Sequence, residues 1–389
     1  MADPAFTVPD PRIFPSIESA APALRTLYAL AEESLAADSQ QRADACDREL
    51  HAALARYLES DGTELAAALS HAPSVAVTRH LWRLVDSVWN ARAHDGTLAV
   101  TVFALPLIVV AGIEGGSERR SLRATLLHPE RVAAILREHG ALKGNRNFAL
   151  ADALVAAETI DIARLPQIRK WQQLPDALEP GAMPGERDLV PSPIVVAAGS
   201  EGVHLRFLPG TAIAGSATDL LAESDVGRWG IPLAQELARE LAIDGVSVLV
   251  LPRAPQPPLR AVAAGRAAQR EVSAQLFAAN AIRRFRSAVG EPSAVISAHR
   301  APDAPGGGEL RLSLSSPFDS RSAEGFRCPL YPLDRVGDAV TMLVELLRDC
   351  RVGDIRTLAG VHPDRERDFG SLLLFKPDTV PEYANGEVH

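Results

Sequence analysis

Lysine is almost missing from this chain. It occurs only at Lys143, Lys170 and Lys376, so arginine carries nearly all of the positive charge. With alanine so frequent, this marks a compositional bias of the coding sequence rather than a site. Cysteine is scarce too: Cys46, Cys328 and Cys350 are odd in number and form no C-x-x-C, which excludes a written disulfide framework or zinc knuckle. A reducing, cytosolic compartment is the expectation. Aromatic residues make up 5% of the chain, and positive charge is outweighed, 40 Lys+Arg against 49 Asp+Glu, for a net charge of −9. That balance argues against a general binder of nucleic acid or of an anionic membrane surface.

Cofactor signatures are absent as well. The glycine clusters at 112–116, 140–144 and 306–308 lack the G-x-x-x-x-G-K-[ST] frame, and no G-x-G-x-x-G stands between a strand and a helix. None of the ten histidines has H-x-x-x-H or H-E-x-x-H spacing. The segment from His362 holds Asp364, Glu366 and Asp368, but Arg365 and Arg367 between them oppose a cation and give a solvated loop. Neither a cofactor nor a metal is expected. The first residues carry an acid and prolines where a secretory signal carries basic residues before an apolar core, so secretion is not expected.

What the sequence does have is a repeat. Pro106–Gly115 and Pro193–Gly202 agree at six of ten positions, each an apolar run ending in Ala-Gly-x-Glu-Gly. A second run follows each copy, containing Leu122-Arg123 or Leu205-Arg206. This predicts the same β-hairpin built twice. The 18 uncharged residues Gly96–Ile113 reach the minimum for a membrane span. Pro106, the Val/Ile/Thr content and the missing aromatic flanks favour a buried strand pair, so no membrane partner is expected.

A length of 389 residues allows two or three domains. The fold class read from the pattern is α+β. Prolines make residues 1–16 an extended arm, and helical periodicity marks a helical region over 17–95. The first hairpin with its helices covers 96–175, including a helix over Phe148–Thr159. A proline-rich linker spans 176–192, and the second hairpin with a helix 193–242. Residues 243–376 read as a ferredoxin-like βαββαβ domain, and 377–389 as an exposed tail.

Candidate site residues are few. Ala198-Gly199-Ser200-Glu201-Gly202 suggests a nucleophile elbow, but a strand rather than a helix follows Ser200, so a hairpin turn is the better reading. Glu114 and Glu201 hold matching places in the two copies and suit an acid/base pair if the fold brings them together. Arg123, Arg206 and the loop Asn145-Arg146-Asn147 are the residues placed to hold an anion. Trp82 and Trp89 share a stripe with Asp86 on the Val75–Ala93 helix and suit either core packing or a partner surface. The long helix from Leu259 carries Arg260, Arg266, Arg270, Arg283, Arg284 and Arg286. Its neighbouring strands lack the aromatics on which RNA bases stack, leaving a solvated or partner-facing surface. The functional expectation is a cytosolic, non-enzymatic component that binds another protein or itself. The alternative is an enzyme acting on a small anionic substrate between the two hairpin turns.

Overall fold

The computed structural model describes residues 22–60, 65, 69, 72, 75–91, 99–113, 119–141, 148–160, 189–198, 201–214, 226–301, 308–316, 323–331, 334 and 336–362. The arm 1–16, the tail 377–389 and linker residues 176–188 lie outside them. The chain is mixed α+β and divides into two compact units, one of Met1–Cys46, Ala68–Trp82 and Arg270–His389, the other of Asp47–Ala67 and Arg83–Gln269.

Three helices come first: α1 (Pro22–Leu35), α2 (Gln40–Ser60) and α3 (Val75–Ala91). Ser39 accepts the Arg42 N–H at 3.4 Å and so caps α2. Leu50, Leu54 and Leu58, one helical turn apart, are fully buried. In α3 the stripe of Leu81, Leu84, Val85 and Val88 is buried, as its periodicity requires.

The unit of Asp47–Ala67 and Arg83–Gln269 is organised by β1 (Ala99–Ile113), into which the long uncharged run folds as one continuous strand rather than the expected strand pair. β1 pairs antiparallel with β5 (Glu201–Ala214) on one side and with β6 (Val246–Pro252) on the other. β3 (Phe148–Leu150) completes the order β3-β5-β1-β6. Pro106 has no N–H to give. It sits where β6 has ended, accepting the Arg253 N–H through its carbonyl at 2.9 Å.

The predicted hairpins do not form. β2 (Arg120–Leu122) pairs with β4 (Ile194–Val196), so each copy's first run pairs with the other copy's second run. Length decides it: a 15-residue buried strand needs a partner for every backbone group, and the 14-residue β5 supplies it where three-residue β2 does not. The Phe148–Thr159 helix is likewise replaced by β3 and the short α5 (Ala157–Ile160), reached through α4 (Pro129–Glu138). Phe148 stands edge-on to Phe103 at 6.4 Å, and Ala151 and Val155 bond the outer edge of β5.

α4 and α6 (Val226–Leu241) bury Val132, Leu136, Trp229, Leu233 and Leu237 in one core with Phe103, Leu107 and Val109 of β1. His128 caps α4 without using its side chain. Glu240 of α6 supplies the anion instead, accepting the Leu127 and His128 N–H groups at 2.6 and 3.3 Å.

α7 (Pro258–Ala288) contributes residues to both units. Its Gly265 lies against Leu205 and Phe207. In the other unit, β7 (Ser293–Arg300), β8 (Gly308–Ser315) and β9 (Ala323–Pro329) are antiparallel neighbours, and β10 (Asp354–His362) lies parallel to β7 after the crossover helix α8 (Val336–Asp349). The order is β10-β7-β8-β9. β6, expected to open a βαββαβ domain, belongs to the first sheet, because Val246, Val248 and Val250 pack with α6. β9 takes the place beside β8. Ala294, Ile296, Leu310, Leu312 and Cys328 face α7 and α8, with Phe277 stacked on Phe326 at 5.3 Å.

A Cβ at Gly210 would lie 2.3 Å from Phe103 Cζ and 2.8 Å from the Ala149 carbonyl. Gly210→Ala is therefore expected to lower stability by about 1–3 kcal/mol. At Gly337 in α8 nothing lies within 4 Å, and Gly337→Ala is expected to be neutral or to add about 0.4–1 kcal/mol. Urea unfolding of each against the wild type checks both signs.

Candidate functional site

The predicted acid pair is not assembled among the described residues. Glu201 is exposed at the start of β5, opposite Gly112, and Glu114 lies outside the described residues, as do Asn145, Arg146 and Asn147. Arg123 is exposed just beyond β2. Arg206 gives its donors to carbonyls: Nε to Ser192 at 2.7 Å, Nη1 to Leu205 at 2.8 Å and Nη2 to Pro193 at 2.6 Å. It pins the chain before β4 onto β5. Trp82 is half-buried, its indole N–H without an acceptor among the described residues; Trp89 lies within α3, but its side chain is outside the description.

Next to Arg206 on the same face of β5 is His204, its Nε2 buried without a hydrogen-bond partner among the described residues and 2.7 Å from where a Gly202 Cβ would be. Burial, with the Arg206 charge second, holds the imidazole below its ordinary value of 6.5.

A second polar group lies on the face of the other sheet opposite α7 and α8. Ser297 Oγ and His299 Nε2 are 2.7 Å apart, and Glu309 stands across from His299 in register. Arg311 Nε donates to Glu309 at 2.6 Å, and Arg327 Nε bonds both Glu309 oxygens at 3.0 and 2.9 Å. A serine within reach of an imidazole is the geometry of an activated nucleophile. Here Ser297 is 3% and His299 1% exposed. The serine is closed to substrate in this state, and the group acts as a buried ion and hydrogen-bond network.

Nearby, Arg270 forms a two-pronged ion pair with Asp334, whose Oδ2 also accepts the Tyr331 N–H at 2.8 Å. Burial pushes the Cys328 thiol up to about 12, against the opposing pull of Arg270. Cys328 is thus a packed, protonated side chain.

Sheet edges, with their unpaired backbone groups, are a further place for a partner to attach. β3 is short, β9 carries Glu324 and Arg327, and β10 carries Asp354 and Arg356. β6 has no charge, and its Leu249 is 54% exposed. Val250 and Pro252 are buried, Val250 in the core that β1 shares with α6, while Leu249 lies on the opposite face.

An open groove of about 480 Å³ lies along the last turns of α7, lined by Ala279, Ile282, Arg283, Arg286, Ser287 and Cys350. The five α7 residues recur at helical spacing and form one face. Arg286 Nε bonds Glu291 at 2.9 Å, and its Nη2 bonds the Cys350 and Arg351 carbonyls at 2.9 and 3.2 Å. Arg283 is exposed, and its hydrogen bond goes to Asn280 rather than to a carboxylate. Arg351 ends α8 at φ 61°, the left-handed conformation, and is the one non-glycine residue with positive φ among the described residues. The basic helix face was legible in the sequence. Cys350 and Arg351 were not, because only the turn after α8 brings them to α7.

The described residues define an α+β protein built on two four-stranded sheets. No protein family, no curated protein and no solved structure matches this chain. Among the described residues no helix is long and apolar enough to cross a membrane, and no group of three or more histidine, cysteine or acidic side chains is placed to hold a metal ion.

Two outcomes are expected. His204 has a folded-state pKa below its unfolded one, so the unfolded chain binds more protons in the window between them. Stability from this group is complete above pH 6.5 and is lost as pH falls below it; His204→Gln should flatten that loss in urea midpoints measured across the window. Glu309→Ala removes the carboxylate facing two guanidinium groups, and a loss of about 3–5 kcal/mol in urea unfolding is expected.

Proposed function

We propose that the protein is a binding or assembly component acting through protein–protein contacts, with the arginine-walled groove of α7 as its docking surface. The observation that carries this reading is the groove itself. It is open, its floor includes the buried Ile282, and its rim bears the exposed Arg283. Contact surfaces commonly combine an apolar floor with an arginine rim. Of the polar groups elsewhere, Arg206 and Glu309 are committed to internal partners.

The alternative of an enzyme on a small anionic substrate rests on Glu114 or Glu201 and on Arg123, Arg146 or Arg206; Glu114 and Arg146 lie outside the described residues, Glu201 and Arg123 are exposed, and three donors of Arg206 already bond carbonyls.

Arg283→Glu tests the docking reading without touching the core. The tagged wild type is expected to retain a stoichiometric protein partner from its native lysate, or to sediment as a defined oligomer, and the variant to lose it. Identical retention and identical mass for the two chains would overturn the proposal.

A further inference from the structure

We infer that His204 and Arg206 of β5 form an acid-sensitive latch, in which protonation of the imidazole releases the chain before β4 and lets β4 lift from the core. The latch is separate from the α7 groove and does not depend on the docking reading.

Arg206 is the clasp. Two of its three hydrogen bonds cross to the segment leading into β4, Nε to the Ser192 carbonyl at 2.7 Å and Nη2 to the Pro193 carbonyl at 2.6 Å. The Ser192 N–H in turn bonds the Leu154 carbonyl at 2.9 Å. β4 is three residues long, and its ladder partner β2 is no longer. So short a pair is marginal by itself, and the clasp helps to hold Ile194 and Val196, each 1% exposed, in the core with β1.

His204 is the sensor. Two residues from Arg206 on one strand, it projects from the same face. Its Nε2 is buried and meets no hydrogen-bond partner among the described residues. A protonated ring would carry a donor on each nitrogen and a charge to be balanced. The surroundings supply no such balance among the described residues. β1 and β4, its neighbours, carry no charge. β2 brings Arg120, exposed and of the same sign, and α7 reaches this end of β5 through the neutral Gln269, which bonds the Val203 carbonyl. Glu201 of β5 is exposed, and the Glu158 carboxylate of α5 acts on Arg206. The charge that acts on the ring is Arg206, which joins burial, the larger cause, in holding the imidazole below 6.5.

Opening resolves the conflict. Once the Ser192 and Pro193 carbonyls leave the guanidinium, water reaches both cations and screens their repulsion. The closed form is fully favoured above pH 6.5 and loses ground as pH falls below it, because the closed state holds the lower pKa. Between the two pKa values opening gains about tenfold per pH unit.

The test is amide hydrogen exchange of the full chain, read by mass spectrometry at about pH 7.5 and about pH 5 and corrected for the intrinsic exchange rate. At the lower pH, amides of 192–196 and of β2 should lose protection about tenfold or more, while those of β1 and β6 keep theirs. His204→Gln, neutral at both values, should keep 192–196 protected throughout. Arg206→Gln opens the clasp at either pH and, by reciprocity, should raise the His204 titration followed by NMR toward 6.5.

Passing outcomes are narrow. Protection of 192–196 that does not change with pH, or that falls equally in His204→Gln, would overturn the latch. Loss at β1 and β6 in step with β4 would overturn it as well, by showing global acid destabilisation in place of a local opening. Arg283→Glu should leave the exchange pattern unchanged, so failure of the latch and failure of the docking reading are read separately.

Discussion

One constraint governs the first sheet: β1 is buried on both faces and must find a backbone partner on both sides. Its 15 residues carry no charge, and their backbone groups pair with β5 along the strand and with β6 from Leu107 to Ile113. The other features of that sheet follow. Pro106 is confined to the point where β6 stops, Gly210 gives room to Phe103, and Gly202 gives room to the His204 ring. The outer edge of β5 is closed by Ala151 and Val155, and near its start the Val203 carbonyl is taken by Gln269 at 3.1 Å.

The second sheet solves a different problem. One face is apolar and packs on α7 and α8; the other carries Ser297, His299, Glu309, Arg311 and Ser313, all buried. Burying charge is favourable only where partners replace water, and Glu309 does this for Arg311 and Arg327 together. Arg284 and Glu324 then pair in the open, where the same kind of contact contributes little to stability.

Much of this was legible in the sequence where a segment's own pattern decides its form. The helices α4, α7 and α8 and the strands β7 and β8 follow from periodicity and from Pro129, Gly140 and Gly290 at their ends, while the run of β1 read as a strand pair and forms one strand. Pairing was not legible. The two Ala-Gly-x-Glu-Gly segments are alike, yet likeness between copies does not say whether a run pairs within its copy or across to the other. β9 was missed because Ala-Glu-Gly-Phe-Arg-Cys-Pro has weak strand character and is held in place by Leu310, Leu312 and Leu314 beside it. The groove was half visible: helical spacing gives Arg283 and Arg286, while Cys350 enters through a tertiary turn.

The crosswise pairing of the two copies also sets a timetable for synthesis. Ala99 pairs with Ala214 and Gly112 with Glu201, so β1 leaves the ribosome well before its partner strand exists. At typical elongation rates that interval is roughly 5 to 25 seconds, during which a long uncharged strand has no edge to join. Contacts this distant in sequence also slow the search for the native pairing. Over that interval residues 99–113 are a long apolar segment of the newborn chain with an unpaired edge, the kind of stretch most open to wrong pairing.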